Sequence, residues 1–205
     1  MSDILPSQCI AFNGMQRIAI GTLAEAATEI KRVVDSGRHR SILLFDARTS
    51  ELIDVDTRGS VEDVVRRYAS TSVAAAPSED VSPDAAAGGP RARGRPKLGV
   101  VAREVTLLPR HWEWLGTQPG GASVALRKLV EEARRAYAGR DIARKSREAA
   151  YRFMSAIASG LETFEEATRA LFAGDRPRFD ALLAGWPADV REHAADLAKD
   201  SFNAG

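Results

Sequence analysis

The chain has 205 residues, 44% of them apolar, enough for one or two domains with a buried core, yet no run nears the roughly 18 apolar residues of a membrane helix. Its N-terminus, MSDILPSQCIAF, lacks the basic and apolar blocks of a signal peptide, so a cytoplasmic protein is expected, and Cys9, the one cysteine, excludes a disulfide framework or a zinc site of several thiolates. The formal net charge of +1 conceals a basic middle: residues 91–147 hold 14 Lys+Arg against 5 Asp+Glu, a net of +9, whereas the rest holds 15 against 23, a net of −8, and a local field of that kind points to a polyanionic partner.

Residues 1–70 predict a small α+β domain of order ββαββα. Asn13-Gly14 separates QCIAF from MQRIAI and reads as a type I′ hairpin turn. Thr22 and Glu25 have capping-box spacing, Leu23, Ala26, Ala27, Ile30, Val33 and Val34 follow at helical period, and Gly37 is placed to end that helix. SILLFDA reads as a strand covered on both faces, ELIDVDT as an alternating fourth strand, and a second helix begins at Ser60 with Asp63 three residues on. A protein partner is expected at this domain, and the chain alone leaves open whether it takes a ligand.

Residues 71–98 predict a flexible linker that ends in a basic strip. The stretch ASTSVAAAPSEDVSPDAAAGGP offers no side chain large enough to offset the entropy lost on ordering. It leads into PRARGRPKLGVV, where Arg91, Arg93, Arg95 and Lys97 alternate around Gly94 and Pro96. The minor groove of A·T-rich DNA is about 6 Å wide, so backbone must enter it, which Gly94 permits and Pro96 keeps extended. The narrow groove concentrates negative potential and draws guanidinium groups inward, here Arg93 and Arg95, with Arg91 and Lys97 toward the phosphates. The strip resembles an AT-hook, whose core is Gly-Arg-Pro flanked by basic residues.

Residues 99–140 predict a strand, a short helix opened by Pro109, a glycine turn and a longer helix whose Leu126, Leu129, Val130, Ala133 and Tyr137 share a face. This order resembles a ribbon-helix-helix module, in which two chains pair strands into a ribbon and the second helix holds a phosphate. The resemblance implies a homodimer, with Gly121, Ala122 and Ser123 offering backbone N–H groups and a hydroxyl to phosphate and Arg127 and Lys128 adding charge one turn later. A lone strand is not stable, which supports the dimer on physical grounds. In the family's register Arg103, Val105 and Leu107 face DNA while Glu104, Thr106 and Leu108 face the core, which puts two apolar residues toward DNA and two polar ones inside. Either the register is shifted by one residue or the ribbon does not read bases, and dimerisation is the firmer expectation.

Residues 141–205 predict a helical bundle. Ala150, Phe153, Met154, Ile157 and Leu161 form one apolar face, Thr163 to Glu166 has capping-box spacing, Gly174-Asp175 stops one helix and caps the next, and Phe179, Leu182, Leu183 and Trp186 precede a last face of Val190, Ala194 and Leu197. The stretches RGRPKLGVVAREVTLLPRHWEWL, PGGASVALRKLVEEAR and AAYRFMSAIA with FEEATRALFAGDRPRFDALLAGWPADVREH are similar to an uncharacterised bacterial family, domain-of-unknown-function family 2239, over nearly the full length. That resemblance implies a bacterial cytosolic protein and carries no activity.

Other candidates are weaker. Asp46, Glu51, Asp54 and Asp56 cluster about a turn and read as its solvated side rather than a cation site. His39, His111 and His193 lack partner spacing, Gly120-Gly121 lacks the lysine of a phosphate loop, and Trp112 and Trp114 read as dimer core. No enzyme, metal or cofactor is expected. The reading is a homodimeric protein that binds double-stranded, A·T-rich DNA, a transcriptional regulator or nucleoid-associated factor. The competing reading is a protein-interaction adaptor whose strip is a solvated tether.

Overall fold

The computed structural model describes residues 8–69 and 103–203. They divide into two units, one formed by residues 8–69 with 137–203 and the other by residues 103–136. The fold is mixed α+β and mostly helical, with one three-stranded sheet.

In the first unit, β1 (Cys9–Asn13) pairs antiparallel with β2 (Gln16–Gly21), as the Asn13-Gly14 step predicts. Asn13 itself pairs with Gln16, so the loop residues are Gly14 and Met15, and of these only Gly14, at φ 63°, is left-handed. A type I′ turn requires positive φ at both central residues, so the turn differs from the expected one, and the glycine sits at its first position. Helix α1 (Leu23–Asp35) opens on the capping box: Glu25 N–H donates to Thr22 Oγ1 at 3.3 Å and Thr22 N–H to Glu25 Oε2 at 2.8 Å.

Strand β3 (Ile42–Asp46) pairs antiparallel with the other edge of β1, giving the order β2-β1-β3. The expected fourth strand reduces to one bridge, Phe45 with Leu52. Ile53 N–H still donates to Leu44 O at 2.9 Å, but beyond it local bonds compete with the ladder. Asp56 accepts from its neighbour Arg58 through both N–H and guanidinium, and Asp56 N–H donates to Tyr68 Oη at 2.7 Å. Tyr68 belongs to α2 (Val61–Ala69), which Ser60 and Asp63 cap reciprocally.

Six more elements follow: α3 (Pro109–Gly116), α4 (Gly121–Ile157), α5 (Phe164–Ala173), α6 (Arg176–Leu183), α7 (Ala188–Ala198) and a 3-10 turn at Lys199–Phe202. Helix α4 has 37 residues and runs unbroken through the boundary expected at 140/141. It holds no proline, and the pairs Glu131–Arg134, Asp141–Arg144 and Arg144–Glu148 support it at i,i+3 and i,i+4. Asp175 caps α6 as expected, by accepting from Arg178 N–H at 3.1 Å. Thr163 does not cap α5: at φ 70° its hydroxyl donates instead to Leu182 O at 2.9 Å.

Alternation along β1 sets the layers. Cys9 and Ala11 face α1 and pack with Ala26, Ile30 and Leu44. Ile10 and Phe12, with Phe45, face the C-terminal helices and enter one core with Phe153, Met154, Leu171, Phe179 and Val190. The segments expected as separate N- and C-terminal regions therefore close a single core, because β1 is apolar on both faces and a three-stranded sheet with one helix covers only one of them. Phe153 is the hub, with ring centroids 5.2 Å from Phe12, 5.6 Å from Phe45 and 4.6 Å from His193.

His193 is buried among these rings and its Nε2 has no hydrogen-bond partner among the described residues. Burial, first, and the nearby Arg17 charge hold its pKa down to about 4, against the opposing pull of Asp196. Burial likewise pushes the Cys9 thiol up to about 11, with Asp46 adding to it, so Cys9 is unreactive near neutral pH.

Two predictions follow from this core. Phe153→Ala should cost about 3–5 kcal/mol in urea unfolding, because it empties the contact between sheet and helices; a cost below about 1 kcal/mol would contradict the shared core. Because the folded state keeps His193 neutral, its contribution is complete above the unfolded pKa near 6.5 and is lost as pH falls toward about 4. Stability should drop by up to ~3 kcal/mol across that window, and His193→Leu should flatten the profile between pH 6.5 and 5, where few carboxylates titrate.

Candidate nucleic-acid interface

Residues 103–136 carry the expected binding side chains that the structure describes. Arg103 to Leu108 form no strand and pair with no strand among the described residues. Pro109 occupies the first turn of α3, where its missing N–H costs nothing. The helix ends at Thr117, whose hydroxyl donates to Trp114 O at 2.7 Å. Gly120 and Gly121 then take left-handed φ of 86° and 76°, and these two consecutive positions turn the chain into α4.

The start of α4 is where the sequence places a phosphate contact. Gly121 N–H is already donated to Gln118 O at 3.0 Å, so of the three expected donors Ala122 and Ser123 remain without an acceptor among the described residues. Ser123 is exposed, as are Arg127 and Lys128. Arg127 lies one turn beyond Ser123 on the same face. Neither cation is ion-paired among the described residues; Glu131, one turn on from Arg127, binds Arg134 at 2.8 Å instead. Arg103 is exposed as well. Arg91, Arg93, Gly94, Arg95, Pro96 and Lys97, with the linker before them, lie outside the described residues.

The apolar side chains of this unit remain largely uncovered. Among the described residues of 103–136 only Leu115 and Ala125 are buried, while Val105, Leu108, Trp112, Trp114, Leu129 and Val130 are 43–55% exposed. Scattered single exposures are ordinary, but a unit that exposes most of its large apolar groups has no core of its own. Leu129 and Val130 belong to the helical face predicted from the sequence, and Trp112 and Trp114 to the short helix before it.

The remaining sequence candidates disperse. Asp46 Oδ1 accepts from Arg48 and Thr49 N–H, both at 2.8 Å, and Asp56 is held ionised below the usual carboxylate range by its bonds to Arg58. No group of three or more His, Cys, Asp or Glu that could hold a metal comes together among the described residues. His39 and His111 are exposed. No helix among the described residues is long and apolar enough to cross a membrane. Sequence reasoning does not single out Arg38 and Arg40, which line a groove in the first unit; the available signal is the run Gly37-Arg-His-Arg-Ser41 after the first helix.

Over residues 8–198 the chain matches the model of a family described as an uncharacterised protein conserved in bacteria (DUF2239). No curated protein and no solved structure matches it.

Proposed function

We propose that this chain, which belongs to the DUF2239 family of uncharacterised bacterial proteins, is a homodimeric DNA-binding protein, a transcriptional regulator or nucleoid-associated factor that prefers A·T-rich duplex. The observation that carries the reading is the basic strip Arg91–Lys97 at the head of a segment, 91–147, of net charge +9. Its Gly-Arg-Pro core suits the narrow minor groove, and its charge steers polyanions. The uncovered apolar groups of 103–136 support the dimer: a second copy supplies the ladder partner for residues 103–108 and the cover for Trp114, Leu129 and Val130. In that arrangement Ala122 and Ser123 N–H, with Arg127 and Lys128, take a DNA phosphate at a helix N-terminus. The ribbon-helix-helix likeness belongs to this proposal.

The protein should retain A·T-rich duplex over G·C-rich duplex, with log K falling against log salt by about 0.9 per phosphate contacted. Arg93→Ala with Arg95→Ala should erase the A·T preference. Binding that is equal for both duplexes, or that survives the double change, favours the adaptor reading in which the strip is only a tether. Separately, solution mass should correspond to two chains, and Leu129→Lys with Val130→Lys should return it to one; a single-chain mass for the unaltered protein refutes the dimer.

A further inference from the structure

We infer that the first unit holds a binding groove for a phosphate-bearing small molecule, with Arg38 and Arg40 as its anion-binding side chains. The groove lies between the β1-β2 turn, the 37–41 loop and the start of α7, and its volume is about 480 Å³. That falls within the roughly 300–1,000 Å³ usual for small-molecule sites.

Three observations set this groove apart. First, neither the Arg38 nor the Arg40 guanidinium has a hydrogen-bond or carboxylate partner among the described residues. In a second hollow, beside α2, every arginine is engaged: Arg58 with Asp56 at 2.7 Å, Arg66 with Asp63 at 3.5 Å and Arg67 with Asp56 at 3.8 Å. Second, the backbone that presents the two free cations is fixed. The Asn13 amide donates to Arg38 O at 3.2 Å and accepts from Arg40 N–H at 2.6 Å, and Gly14 N–H donates to Ser41 O at 2.8 Å. The stem of Arg40 lies along the hairpin turn, so a Cβ on Gly14 would stand 3.6 Å from its Cδ. Binding there forfeits little loop entropy. Third, the one acid lining the groove, Asp189, is already matched: Arg17 donates its N–H to Oδ2 at 2.9 Å and holds its guanidinium 3.8 Å from Oδ1. The lining therefore carries two arginines without a partner among the described residues against one acid, Asp189, which shares Arg17 with Glu192 at 3.6 Å.

Two guanidinium forks ask for an anion with more than one charge and oxygens enough for both, which a phosphate ester or diphosphate supplies and a single carboxylate does not. The groove's volume leaves room for an organic part beside the phosphate. None of these residues belongs to the basic strip or to residues 103–136, so the inference stands or falls apart from the DNA-binding reading.

The test uses the full chain and inorganic pyrophosphate as the probe, added at constant ionic strength and followed by backbone amide NMR. Saturable shifts are expected at the Gly14, Arg40 and Ala188 amides. Arg38→Gln or Arg40→Gln alone should weaken the apparent affinity about tenfold, as loss of one charge-assisted bond implies, and the double change should abolish it. Arg169→Gln, on α5, should leave it unchanged. Both groove side chains are exposed, so folding should persist; if the double variant unfolds, the single variants decide. Shifts that do not saturate, or an affinity equal in all variants, overturn the inference. So does a short DNA duplex that moves these amides when pyrophosphate does not, since the groove would then be reading nucleic-acid backbone.

Discussion

Everything in the first unit depends on β1 being apolar on both faces. A strand with only one apolar face is satisfied by a single covering layer; this one has Ile10 and Phe12 on one side and Cys9 and Ala11 on the other, all fully buried. Helix α1 covers the Cys9 side and cannot reach round the sheet. The other side takes its cover from residues some 140 positions further along, with Phe153 set among Phe12, Phe45 and His193. The same burial explains two chemical properties of the core. Water that would solvate a thiolate at Cys9 or an imidazolium at His193 is excluded, so both groups are held neutral by one cause acting in opposite pKa directions.

The second unit has the opposite problem. Its helices expose about half the surface of Trp114 and Val130 and bury only Leu115 and Ala125 among the described residues of 103–136. Full burial of a large apolar side chain is worth about 1.5–3 kcal/mol, so covering the exposed half of six such groups represents a sizeable drive toward association. The residues before α3 point the same way, since a strand-like sequence without a ladder partner gains nothing from extending alone. A two-fold pairing answers both needs with one contact, which is why dimer and DNA contact are proposed together: the surface that pairs the chains also sets the spacing of two α4 starts.

Much of this was legible in the sequence wherever a local signal had no competitor. Thr22 and Glu25, Ser60 and Asp63, Gly174 and Asp175, and Pro109 each marked a helix end within a residue or two, because capping involves only neighbouring groups. The apolar faces around Phe153 and Phe179 were visible from period alone. Failures came where a distant partner took over. Thr163 has the spacing of a capping box, but its hydroxyl serves Leu182 O. The alternation of ELIDVDT fits a strand, yet Asp56 is claimed by Arg58 and Tyr68. The sharing of one core by both ends of the chain has no local signature, and the length of α4 lacked only a stop signal. Arg38 and Arg40 escaped notice for a further reason: a short basic run reads as solvated loop until the Asn13 amide is seen to hold it.

The charge pattern follows from the same division between groups that find partners and groups that do not. In the first unit several acids are matched close by, Asp56 with Arg58, Asp63 with Arg66 and Asp189 with Arg17, so each of these carboxylates projects less field than it would unpaired. Exposed pairs of this kind contribute little stability but do cancel charge locally. At the start of α4 the reverse holds. Its first ten residues contain Arg127 and Lys128 and no acid, beside a helix end that is itself positive. With Arg91 to Lys97 preceding in sequence, residues 91–103 and 121–130 together hold seven Lys+Arg and no acid. A net charge of +1 is then no argument against a polyanion, because within a Debye length of about 10 Å a ligand meets the local, uncompensated charge and not the total.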